Sequence, residues 1–245
     1  MVVSLKCDVL QIVVAAETLS GLMLDGQVEV AEPLVLADSY TTYILVVTLT
    51  SMSARDELTN AMTELLWERG YAATSPRDVM ARAGVGQGSM YHHFDGKHGL
   101  AVEALSAVTQ QMTSGPSLLE GDGSPLERMK RYLAEPRPGT RGCRVGRMTQ
   151  DPQVVEDTEL IGIVAGAFGV ALERWERTVA EAIDAGELPS SIVASELART
   201  LCAVIQGGYV LARAQGSQDP MDAAVRGASA LLDAACLHNT NTTPN

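Results

Sequence analysis

Gln87, Ser89, His92 and Lys97 are the side chains whose types and spacing carry the clearest chemistry in this 245-residue chain. A glutamine amide pairs with the adenine edge in the major groove, and a serine hydroxyl serves either a base or a phosphate. A lysine in the first turn of a helix is unfavourable against the helix dipole unless an anion lies beside it, so Lys97 suits a phosphate contact. A solvated helix face is the bland alternative for this group. Catalysis needs a nucleophile with a base. Cys143 is the one attractive nucleophile, yet the sole histidine outside the 71–100 stretch is His238. No serine elbow, phosphate-cradling glycine loop or zinc signature is present, so no catalytic residue is assigned. His92, His93 and His98 lack a cysteine or paired carboxylate to complete a ligand set, so no metal and no cofactor is expected. A small-molecule enzyme stays as the less favoured alternative.

The elements that must position these side chains read directly from Tyr71 to Leu100. Ser75 followed by Pro76 starts a helix, because the serine oxygen accepts from a free first-turn amide and proline has no amide to leave unpaired. That helix runs from about Pro76 to Ala83 and ends at Gly84, where a left-handed residue costs least without a Cβ. Val85 fills the corner, and Gly86 opens a second helix carrying Gln87, Ser89, Tyr91 and His92. Helix, glycine turn, helix is the helix-turn-helix unit, whose second helix lies in the DNA major groove.

Thr74, Ser75, Ala83, Gly84, Val85, Gly88, Ser89, Tyr91, His93, Phe94 and Lys97 stand in the order and spacing of the DNA-binding segment of TetR-type transcriptional regulators, which this stretch resembles. Pro76, Gly86 and His98 depart from the pattern, standing where an aliphatic residue, a capping serine and a glutamate are usual. The resemblance covers about fifty residues of 245. It implies DNA contacts at Thr74, Ser75, Arg77, Gln87, Gly88, Ser89, Tyr91, His92 and Lys97, with Tyr91, Lys97, Ser75 and more loosely Arg77 on phosphates, and His93 in packing. It further implies a homodimer whose last two helices form a four-helix bundle with their copies, a double-stranded operator, and a small-molecule effector.

Composition agrees with a folded, soluble protein, with 46% apolar and 20% charged residues. The net charge of −12 argues against indiscriminate polyanion binding. The 71–100 stretch is near neutral, with Arg77, Arg82 and Lys97 against Asp78 and Asp95, so non-specific DNA affinity is expected to be low and steeply salt-dependent. Cysteines 7, 143, 202 and 236 are spaced too widely for a zinc pair and read as reduced thiols. The longest apolar run, Tyr43 to Leu49, is too short to span a bilayer. A cytoplasmic protein without membrane contact is expected.

The fold class expected is all-α: a three-helix DNA-binding domain over 53–100 and a larger helical ligand-binding and dimerisation domain over 101–238. Residues 1–52 hold one basic and six acidic residues in strand-like apolar runs. They read as a poorly ordered or mis-started extension, or as an added packing element, and 239–245 as a frayed tail. From Ser53 the period becomes helical, with Leu58, Ala61, Met62, Leu65 and Leu66 on one stripe and Gly70 at its end. A helix from Lys97 follows, with Leu100, Ala101, Ala104, Leu105, Val108 and Met112 on its stripe. Then come a short basic helix from Leu126 to Ala134, a short helix near 142–150, and a long one from about 157 to 185. The last two, about 191–214 and 219–237, are rich in small residues on their apolar sides.

Within the larger part, Met129, Tyr132, Met148, Phe168, Leu172, Trp175, Gln206 and Tyr209 gather adaptable and aromatic side chains in a chain that is 4% aromatic. They are the expected effector pocket, with plain core as the alternative. One charge anomaly completes the reading: from Leu126 to Arg147 there are seven basic residues and two acidic ones. Three accounts stay open. The run pairs with acidic helices elsewhere; or its arginines, Arg147 foremost, hold an anionic effector group or a DNA phosphate; or they stabilise the Cys143 thiolate and make it redox-responsive.

Overall fold

Short polar signals fix where the helices begin. The computed structural model describes residues 52–240, with side chains through residue 236. The expectations for residues 1–51, for the His238 side chain and for the end of the tail lie outside the described residues. Helix α1 (Ala54–Arg69) starts at Ser53, whose hydroxyl accepts from the Asp56 amide while the Asp56 carboxylate accepts from the Ser53 amide. The same reciprocal cap opens α2 (Pro76–Ala83) at Ser75 and α5 (Pro125–Ala134) at Ser124, both with proline in the first turn. Between them lie α3 (Gln87–His93) and α4 (Lys97–Ser114). Gly86 caps α3 without a side-chain hydrogen bond.

After α5 the chain makes two 3-10 turns, Gly139–Arg141 and Gly146–Gln150, and a short α6 (Pro152–Glu156). The long α7 (Thr158–Asp184), α8 (Ala194–Gln215) and α9 (Asp219–Thr240) complete the order. The architecture is all-α, as expected. Two expectations are corrected. The short helix expected near 142–150 is a 3-10 turn over Gly146–Gln150, and a separate α6 stands between it and the long helix, because Asp151 and Asp157 each cap a helix start. Met112 leaves the α4 stripe and is 54% exposed, since Val108 is the last residue of that helix to meet the core.

Two apolar clusters hold the described residues together. The first joins the α1 stripe to Val79, Met90 and Phe94 of the helix-turn-helix and to Leu100, Ala104 and Leu105 of α4. It continues without a break into Val145, Met148, Val154, Leu160 and Val164. The second gathers Met129, Leu133, Trp175, Val179, Leu201, Ile205 and Leu232. The small residues of α8 serve contacts inside the chain: a Cβ on Gly208 would lie 2.9 Å from the Met221 sulfur and 3.4 Å from Ala224 Cβ of α9. A larger residue there would have to displace the Met221 side chain.

Candidate functional site

Helix α3 owes its exposure to what lies beneath it. Met90 and Phe94 are buried and anchor the helix by one face, against α1 and α4. A helix of seven residues held by one face must offer the other to solvent. Gln87, Gly88, Tyr91 and His92 are exposed and Ser89 is half-buried. Tyr91 is 52% exposed, a large aromatic side chain turned to solvent on this face. Val85 packs against the core at the corner, and Gly84 takes the left-handed conformation at φ 67°.

The remaining expected contacts fall unevenly. Arg77 is exposed at the start of α2. Ser75 is exposed too, but its hydroxyl is committed to Asp78, whose carboxyl is held below the usual range by that hydrogen bond. Thr74 is a correction: it is 2% exposed and its hydroxyl donates to the Gly70 carbonyl at 2.7 Å. A buried, satisfied hydroxyl closes the α1–α2 turn and is not presented to DNA. Lys97 is half-buried, its ammonium 3.9 Å from the centre of the Tyr71 ring, and burial pushes its pKa down. The ring holds the charge at the N-terminus of α4 while leaving donors free, since an ammonium has three.

A cavity of about 670 Å³ lies where the α1–α2 turn meets the larger helical part. Of the expected pocket residues, Arg147, Phe168, Gln206 and Tyr209 line it. The others are corrections, for they do not line it. Met129 and Trp175 are fully buried in the second cluster and Met148 in the first. Tyr132 packs edge-to-face on Trp175 with ring centres 5.1 Å apart, and Leu172 is half-buried on α7. Apolar gathering in Met129, Tyr132, Met148 and Trp175 is core, the alternative the sequence left open, and Leu172 belongs to neither cluster. Sequence reasoning missed other lining residues: Arg69 at the end of α1, Gly70, Ala72 and Ala73 of the turn, and Val210 and Arg213 of α8. No local signal marks these residues, because two segments distant in sequence bring them together. Burial pushes the Tyr209 phenol up to about 12, so it remains a hydrogen-bond donor.

Two contacts tie the turn to the larger part. Asp151, 8% exposed, accepts from the Ala72 amide at 2.8 Å with one oxygen and from the Gln153 amide at 3.1 Å with the other. The Trp67 indole donates to the Gly142 carbonyl at 2.8 Å, and the Arg141 and Arg144 guanidiniums lie 3.4 and 4.2 Å over its ring. Both arginines also pair with Glu64, at 2.9 and 3.1 Å. The basic run is thus largely spent inside the fold. Arg128 pairs with Glu181 and Lys130 with Asp233; Arg131 and Arg137 donate to backbone carbonyls. Arg147 is different: among the described residues no carboxylate lies within ion-pair distance of it. Cys143 is half-buried and accepts a hydrogen bond from the Gly146 amide at 3.2 Å. Among the described residues no group of histidines, cysteines and carboxylates could hold a metal, and no helix is long and apolar enough to cross a membrane.

Residues 58–104 match the bacterial regulatory proteins of the tetR family, and residues 124–228 match a tetracyclin repressor-like C-terminal domain. The HTH-type transcriptional repressor DhaR of Mycobacterium sp. (strain GP1) is 26% identical over 176 residues, covering 69% of this chain and 86% of that protein. The transcriptional regulator AcuR of Cereibacter sphaeroides is 29% identical over 186 residues, covering 71% and 82%. In fold the chain is similar to a TetR family regulator from Agrobacterium tumefaciens, with a TM-score of 0.66, 21% identity, and coverage of 75% of this chain and 98% of that one. The regulatory protein TetR from Rhodobacter sphaeroides gives 0.62, 24%, 73% and 98%. A reading helix anchored from below, and matches to both the DNA-binding and the C-terminal parts of one family, lead to one conclusion: the chain belongs to the TetR family of transcriptional regulators.

Proposed function

We propose that this regulator is a ligand-responsive repressor that binds a roughly palindromic operator as a homodimer in the cytoplasm and leaves it when a small molecule occupies the junction cavity. The observation that carries the reading is the free face of α3, where Gln87, Tyr91 and His92 stand exposed over a buried anchor. We divide the chain for this purpose at about residue 100, with DNA reading before it and effector binding and dimerisation after it. Phosphate contacts fall to Arg77, Tyr91 and Lys97, with Ser75 committed to capping α2 through Asp78, and base contacts to Gln87, Ser89 and His92; Gly88 keeps the backbone close. The repressing sense is supported by relatives described as repressors, DhaR among them. Support for a dimer comes from α8 and α9, which leave Leu211 and Leu231 exposed at 50 and 72%.

The cavity fits the size of small-molecule sites, commonly ~300–1,000 Å³. Its wall includes the α1–α2 turn, so a ligand there pushes on the segment that sets the pose of α3, and differential affinity for two poses is what a switch needs. Displacement tests this. Protein bound to a labelled duplex is challenged with apolar and amphipathic compounds, in the native chain and in Thr149→Trp, which puts a large ring at an exposed position of the wall. Release by a compound in the native chain, lost in the variant, is expected. A complex that no compound disturbs, or equal release in the variant, contradicts ligand control through this cavity.

A further inference from the structure

Charge in the cavity is unbalanced, and in one direction. Its lining holds three guanidiniums, Arg69, Arg147 and Arg213, and one carboxylate, Asp151. Arg69 has its own partner, Asp78, at 3.5 Å. Arg213 makes one long hydrogen bond, 3.4 Å, to the Arg141 carbonyl and no ion pair among the described residues. Arg147 is half-buried and has neither. Burial and the neighbouring Arg213 both push the Arg147 pKa down, with Asp151 opposing them. Two guanidiniums without an ion pair among the described residues therefore face one carboxylate, Asp151, whose oxygens already accept from the Ala72 and Gln153 amides, in a chain whose net charge is −12. Partly desolvating the Arg147 guanidinium beside the like charge of the exposed Arg213 costs free energy unless an anion joins them.

We propose that the cavity binds a small organic monocarboxylate, its carboxylate held by Arg147 and Arg213 and its apolar body laid against Phe168 and Val210. This rests on the reading of the cavity as the effector site and names the class of effector. The charge decides between anions. Two guanidiniums against Asp151 leave one positive charge, which a monocarboxylate neutralises; a phosphate dianion would leave the site negative. Geometry agrees, since guanidinium matches a planar carboxylate through two parallel hydrogen bonds. Gln206 and Tyr209 line the same space and offer neutral donors, the phenol remaining protonated across the physiological range. Phe168, Val210, Ala214 and Pro152 supply the apolar wall. Asp151 is also the residue that clasps the Ala72 amide. An anion beside Arg147 thus alters the field at the contact that ties the α1–α2 turn to the larger part.

Titration calorimetry on the full chain without DNA tests the proposal, using hexanoate, octanoate and benzoate, each against its uncharged amide. At least one acid is expected to bind about tenfold or more tightly than its amide, the range for a charge-assisted hydrogen bond. Arg147→Gln and Arg213→Gln should each remove that preference for acid over amide, while Arg147→Lys should recover part of it. The acid-against-amide comparison needs no variant, so a substitution that disturbs folding cannot hide the answer. Equal binding of acid and amide, acid binding unchanged in both glutamine variants, or no binding by any acid in the series overturns the proposal. Because DNA is absent, such a failure leaves operator reading standing, and a failure of operator reading leaves this measurement intact.

Discussion

Gln87 and Lys97 divide the proposed DNA contact by chemistry. Gln87 is exposed on α3 with an amide that fits one base edge; Lys97 stands at the N-terminus of α4 as a point charge held by the Tyr71 ring. Gln87→Ala is expected to cost about 1–3 kcal/mol at the preferred site and to relax base preference at one position. Lys97→Ala should weaken all sites alike and reduce the salt slope by about one. Anisotropy titrations on matched and mismatched duplexes separate the two, and uniform loss in both variants would reassign the roles. A second residue-scale expectation follows from burial. Cys202 has its thiol pushed up to about 11 by desolvation. Between the unfolded thiol pKa and that value the unfolded chain has lost a proton that the folded chain keeps, so stability falls as pH rises through this window. Solvent screening limits the effect to on the order of 1 kcal/mol. Urea unfolding at pH 8 and pH 10.5 should show it in the native chain and less of it in Cys202→Ala.

The turn between α1 and α2 is the element on which reading and response meet. Gly70 sits at φ 88°, and a Cβ there would lie 2.8 Å from the Asp151 carboxylate oxygen. Gly70→Ala should therefore destabilise by about 1–3 kcal/mol, through a left-handed backbone and a displaced Asp151. Asp151→Ala should cost about 1 kcal/mol or more by leaving the Ala72 amide unpaired, and thermal melts of the two variants check both figures. The helices flanking this turn were legible in the sequence because their ends are written in single residues: Ser53, Ser75 with Pro76, and Gly84 mark the boundaries of α1 and α2 where the structure has them. Helix α6 was not legible, since Asp151-Pro152 starts a helix only five residues long, too short for a period to show. Nor was the cavity. Met129, Trp175 and Phe168 look alike in sequence, and whether each meets core or open space depends on long-range packing. Trp67 shows the same limit: it lies outside the stripe read from the sequence, and its bond to the Gly142 carbonyl reaches across 75 residues.

On the scale of the whole molecule, the account requires two reading heads held at a fixed spacing. Leu231, 72% exposed on α9, sits on a face that the proposed dimer covers. Leu231→Glu is expected to shift the protein toward monomer in light-scattering chromatography, and a monomer contacts one half-site alone. Two-fold symmetry in the protein then appears as two-fold symmetry in the DNA, with half-sites about one helical turn apart or slightly more. The most direct measurement is therefore selection of bound duplexes from a fully random pool, sequenced after several rounds at moderate salt. The account predicts enrichment of one motif with inverted half-sites, whose sequence preference relaxes at a symmetric pair of positions in Gln87→Ala. A pool that stays random, or an enriched motif that Gln87→Ala leaves unchanged, would contradict it.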